Sequence, residues 1–114
     1  AVVPTGEAFY PRSFNYRQFH AHDIVEYDIA KLFAECDSFI CENRDQKRKV
    51  LVHCFAGASR SVTIVVSHIM KAKCWTFNRA YTEVKTMHPH AQINDGFRLS
   101  LMRYEQLLTH NGIA

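Results

Sequence analysis

Along this chain the apolar positions change period several times, and each change predicts an element. Ala1-Val2-Val3 reads as the end of a strand, closed by the turn signal Pro4-Thr5-Gly6. Residues 14–21 alternate, with Phe14, Tyr16 and His20 on one face and Phe19 on the other, which predicts a strand. A polar loop over 22–27 follows. From Asp28 the period becomes helical. Ile29, Leu32, Phe33, Cys36, Phe39 and Ile40 share one face, and Asp28 is placed to cap the helix. The charged run ENRDQKRK over 42–49 reads as a solvated turn. Val50-Leu51-Val52 then reads as a buried strand. Beyond a tight loop, a helix over 59–73 is apolar on more than one face, so it should pack between a sheet and other helices. Thr76 caps a third helix whose inner face is Phe77, Ala80, Tyr81, Val84 and Met87, stopped near Pro89. Asn94-Asp95-Gly96-Phe97 opens the last helix. Its inner face is Phe97, Leu101, Tyr104, Leu107 and Leu108, and Gly112 is its stop. This order predicts an α/β domain, a small central sheet covered by helices.

Composition narrows the function classes. The chain has 114 residues, 47% hydrophobic and 22% charged, which suits a single globular domain over 1–114. Its net charge of +3 comes from scattered Lys and Arg, so no nucleic-acid partner is expected. No apolar run is long enough to span a membrane, and Ala1-Val2-Val3-Pro4 is not a signal peptide. Cys36, Cys41, Cys54 and Cys74 have no metal-like spacing, and no metal or other cofactor is expected. Cys36 lies in an apolar stripe and reads as core.

The chemistry concentrates in VLVHCFAGASRS, residues 50–61. A strand, a tight loop and a helix start make a natural anion site. Loop N–H groups turn inward, and the helix N-terminus adds partial positive charge. A cysteine held there loses its proton easily. The alternative for Cys54 is a small buried core thiol. Arg60, six residues on, and Gly57 between them favour the reactive reading.

His53-Cys54, five residues, then Arg60-Ser61 resembles the signature of the protein tyrosine phosphatase superfamily. The fuller HCFAGASRS is similar to the dual-specificity phosphatase branch. The resemblance implies a protein tyrosine phosphatase-like fold and a phosphocysteine mechanism. Cys54 is the implied nucleophile. Arg60 and the loop amides of Phe55, Ala56, Gly57, Ala58 and Ser59 are the implied phosphate ligands. Arginine suits this role because its planar fork binds two oxygens at once. Ser61 would assist departure of the thiolate, and His53 would hold the loop. Asp23, Glu26 and Asp28 are candidate acids for the leaving oxygen. The family's spacing of Asp, four residues, Asp-Ile matches Asp23 to the acid and Asp28 to the helix cap. Asn94-x-Gly96-Phe97 resembles the family's Asn-x-Gly-Phe, with Asn94 as a supporting residue. It is equally readable as a plain helix cap, and Ile93 stands where proline is common.

Family domains begin further upstream, with a helix and strands that this sequence lacks. It is therefore expected to be an N-terminally truncated catalytic domain. Its sheet edge would be cut short, covered by a second copy, or completed by upstream residues. Phosphorylated proteins are the expected substrates, carrying phosphotyrosine or phosphoserine/threonine. A nucleophilic thiol suits a cytoplasmic or nuclear compartment. Two other readings remain: a catalytically silent phosphoprotein-binding module, and a phosphatase for lipid or RNA 5′-phosphates. The neutral side chains between Cys54 and Arg60 count against highly charged lipid or RNA substrates.

Overall fold

The computed structural model describes residues 2–3, 19–52, 54 and 59–110. The expected turn at 4–6, most of the strand over 14–21, and the stop at Gly112 lie outside them.

The apolar stripe after Asp28 does form a helix, in two stages. Ile29–Leu32 is a 3₁₀ turn, and α1 continues as Phe33–Asp45. Ile29, Leu32, Phe33, Cys36 and Ile40 are buried, so Cys36 is core as expected. Two expectations need correction. Asp28 holds the N-cap position but its side chain accepts no capping bond, because the tight 3₁₀ entry replaces the usual first turn. The helix also runs past Glu42, and the turn begins after Asp45. Lys47 takes a positive φ of 59° there, and its N–H donates to Arg44 O at 2.8 Å.

Helix α2, Ser59–Lys73, has the expected bounds and is buried on several faces. It packs against α1, α3 (Phe77–Met87) and α4 (Asp95–His110). Thr76 caps α3, accepting from Arg79 N at 3.2 Å. Asn94 caps α4, its Oδ1 accepting from Phe97 N at 2.8 Å. Phe97, Leu101 and Leu108 are buried, but Met87 and Leu107, expected to face inward, are exposed. Both lie in the last turns of their helices, where the apolar stripe drifts off the core.

Strand β1, Val2–Val3, pairs in parallel with β2, Phe19–His20. No other ladder forms among the described residues. Among the described residues the run at Val50–Val52 is not hydrogen-bonded into it. Val50 and Val52 pack on the core, while Leu51 between them is 79% exposed rather than buried. That is the period-two alternation of an extended segment with one face inward.

A buried polar clasp joins α1 to α2. Asp37 Oδ1 lies 2.7 Å from His68 Nδ1, and Lys71 Nζ lies 3.3 Å from Asp37 Oδ2. Arg44 Nη1 lies 3.1 Å from His68 Nε2. Arginine only donates, so Nε2 accepts, and the ring proton sits on Nδ1 and points at Asp37. Its bond to Asp37 raises the Lys71 pKa.

Candidate active site

Cys54 is buried just before α2, and Ser61 reaches it from the helix's first turn. The Ser61 hydroxyl lies 3.4 Å from Sγ, and the Ser61 N–H donates to Sγ, also at 3.4 Å. Burial pushes the thiol pKa up. The Ser61 hydroxyl and amide, the Arg60 charge and the Arg60 amide outweigh it, and the net shift is downward. The helix start thus gathers donors around one sulfur.

Arg60 is buried and points across the molecule. Its Nη1 donates to Ala21 O at 3.1 Å, 39 residues away. Ala21 directly follows β2, so the guanidinium is pinned to the segment that leads to Asp23. Ser59 is the third buried residue of this turn, and its hydroxyl accepts from Asn94 N at 3.1 Å. His53, Phe55, Ala56, Gly57 and Ala58 lie outside the described residues.

Asn94 makes contacts in three directions. Besides capping α4 and holding Ser59, its Nδ2 donates to Asp23 Oδ1 at 2.9 Å, 71 residues away. The cap and the supporting residue are therefore one side chain. Gly96 completes the arrangement. A Cβ there would run into Val25 O, so the loop after Asp23 rests directly on the first turn of α4. A glycine inside a helix's first turn costs helix propensity. That cost is the local signal of this close approach, which the motif alone misses. The Ala21 carbonyl and the Ser59 hydroxyl were missed as well; neither carries a local signature.

Asp23, Glu26 and Asp28 are all exposed, and only Asp23 hydrogen-bonds Asn94 among the described residues. Among the same residues neither Glu26 nor Asp28 hydrogen-bonds to the start of α2. Of the three candidate acids, the structure ties only Asp23 to the cluster.

A second set of donor atoms lies in the clasp. Asp37, Cys41 and His68 bring metal-ligating atoms within 4.8 Å of one another. Both Asp37 oxygens and both His68 nitrogens already have protein partners, including the cations Lys71 and Arg44. That arrangement disfavours a further cation. The Cys41 thiol is pushed up, by burial first and then by the Asp37 charge.

Residues 4–107 match the family model for the dual specificity phosphatase catalytic domain. The chain belongs to this family. It is 41% identical over 103 residues to MAP kinase phosphatase with leucine-rich repeats protein 3 of Dictyostelium discoideum, covering 90% of this chain and 12% of that protein. It is 42% identical over 87 residues to dual specificity protein phosphatase 12 of Rattus norvegicus, covering 76% of this chain and 26% of that protein. The chain therefore spans a small part of the length of these relatives. The crystal structure of DUSP15 superposes with a TM-score of 0.83 at 28% identity, covering 96% of this chain and 76% of that one. The fold is thus that of the dual specificity phosphatases, as the resemblance implied.

Proposed function

We propose that this dual specificity phosphatase domain hydrolyses phosphotyrosine and phosphoserine/threonine in proteins through a phosphocysteine intermediate. The observation that carries the reading is the pairing of a donor-surrounded Cys54 with an Asp23 tied to the same helix start through Asn94. In the first step the Cys54 thiolate attacks phosphorus and the ester P–O bond breaks. Asp23 gives its proton to the leaving oxygen. Arg60 and the loop amides, Phe55 to Ser59 among them, hold the phosphoryl oxygens, and His53 orients the loop. In the second step Asp23, now a carboxylate, takes a proton from water as that water attacks phosphorus. The thiolate leaves, stabilised by the Ser61 hydroxyl. No step calls for a metal.

The pairing of β1 with β2, with the Val50–Val52 run leading to Cys54, supports reading these segments as parts of a small central sheet. A nucleophilic thiol favours a reducing cytoplasmic or nuclear setting.

The test is phosphate release from para-nitrophenyl phosphate and from matched phosphotyrosine and phosphothreonine peptides. Cys54→Ser should lower turnover by about 10³-fold or more, since the nucleophile is lost. Tight phosphopeptide binding with no release by the native chain would make it a binding module instead. Release from lipid or RNA phosphates in preference to peptides would change the substrate class.

A further inference from the structure

A cavity of about 350 Å³ opens beside the nucleophile's helix. Val62 and Val65 of α2 face Val84 and Met87 at the end of α3 across it. The turn over residues 88–91 closes one side, and Ser61 supplies a polar wall. That same Ser61 hydroxyl stands 3.4 Å from the Cys54 sulfur. Among the described residues Cys54, Arg60, Asp23 and Asn94 do not line it. The cavity thus meets the phosphate site at Ser61.

The closing turn is firmly held. His88 N donates to Val84 O at 2.8 Å, and Ala91 N donates to His88 O at 2.9 Å. Ala91 O accepts from Lys85 Nζ at 2.6 Å and from the Tyr81 hydroxyl at 3.5 Å. A preformed, mostly apolar recess with a few polar groups is the usual form of a small-molecule site. The valines and Met87 suit a flat aromatic body, and methionine adapts to such surfaces. The imidazoles of His88 and His90, with the Lys85 ammonium behind Ala91, gather donors on one side. An anionic substituent complements that side.

We propose that this cavity binds a small aromatic anion, and that its occupation slows turnover without competing for the phosphoryl group. A ligand pressed against Ser61 acts on the hydroxyl that stands against the Cys54 sulfur. The effect on turnover rests on the phosphatase reading above; the binding does not.

The probe is 1-anilinonaphthalene-8-sulfonate, titrated by fluorescence against the 114-residue chain with and without saturating orthovanadate. A one-site fluorescence rise that persists in orthovanadate is expected. With para-nitrophenyl phosphate, the probe should lower kcat and leave KM unchanged. Val65→Phe fills the recess and should abolish the rise. Met87 is 70% exposed, so Met87→Glu is safe for the fold and should weaken the probe roughly tenfold through charge repulsion at the mouth. Circular dichroism confirms that each variant is folded. Displacement of the probe by orthovanadate would overturn the proposal, as would native-like binding by a folded Met87→Glu. A rise in KM at constant kcat would overturn the non-competitive effect. If the native chain releases no phosphate, the phosphatase reading fails, and the fluorescence titration still decides the site.

Discussion

At its N-terminal end α2 buries Ser59, Arg60 and Ser61 beside Cys54. About two turns further on it buries His68 against Asp37. Both are polar clusters in an apolar setting, yet they are wired differently. In the His68 cluster each acceptor meets a donor: Asp37 receives His68 and Lys71, and His68 Nε2 receives Arg44. The polar atoms are satisfied by protein partners, and the product is a clasp between helices. In the Cys54 cluster, donors from two residues converge on one sulfur and pull its pKa below the ordinary thiol value. One arrangement satisfies its polar atoms and the other favours a charge on sulfur. Burial alone therefore says little about function; the balance of donors and acceptors decides it.

The strongest way to break this contrast is Asp23→Asn. If Asp23 is the acid, turnover of poor leaving groups should fall by about 10²–10⁴-fold, with much less effect on activated aryl esters. Asn94→Ala should show the same leaving-group dependence at smaller size, since it frees the carboxylate without removing it. Steady-state kinetics across a leaving-group series checks both. Equal losses for all leaving groups would assign Asp23 another role.

Asp37→Ala attacks the other cluster. It removes the acceptor for His68 and Lys71, and one partner of that pair is solvent-exposed. The expected loss is at the low end for a broken buried pair, about 3 kcal/mol in denaturant unfolding. Turnover per folded molecule should not change. A fall in turnover without a fall in stability would show that the clasp serves the site.

Ser61→Ala sharpens the comparison by removing one donor from the sulfur. Alkylation of Cys54, followed against pH, should show its midpoint move up toward the ordinary thiol value. The sign follows from the depressed folded pKa. In the native chain the thiolate contributes stability above the unfolded pKa, and that contribution is lost as pH falls through the lower folded pKa. Ser61→Ala should therefore narrow the pH range over which stability falls. An unmoved midpoint would leave Arg60 and the amides as the whole cause.

The smallest effect is expected away from both clusters. Cys74 follows α2 with a positive φ of 55°, a conformation that suits glycine. Cys74→Gly should raise stability by about 1 kcal/mol in the same unfolding measurement, with unchanged turnover. A loss of stability would mean that the Cys74 side chain contributes more than its backbone costs.

The sequence by itself determined whatever depends on near neighbours. The bounds of α2, the Thr76 cap and the grouping of Cys54, Arg60 and Ser61 were legible because strand–loop–helix geometry acts over a few residues. Asp37 and His68 were polar positions on or beside apolar stripes, and only their burial revealed them as a pair. Which of three carboxylates meets the cluster was open from residue type alone; the family spacing pointed to Asp23. The tertiary structure decided it physically, through contacts 71 residues apart for Asn94 with Asp23 and 39 apart for Arg60 with Ala21. It also decided that Gly96 must lack a side chain, because Val25 O occupies that space. The physical reason is common to all of these. Periodicity records which face of an element turns inward, whereas a hydrogen bond between distant loops depends on how the elements pack, which no local pattern encodes.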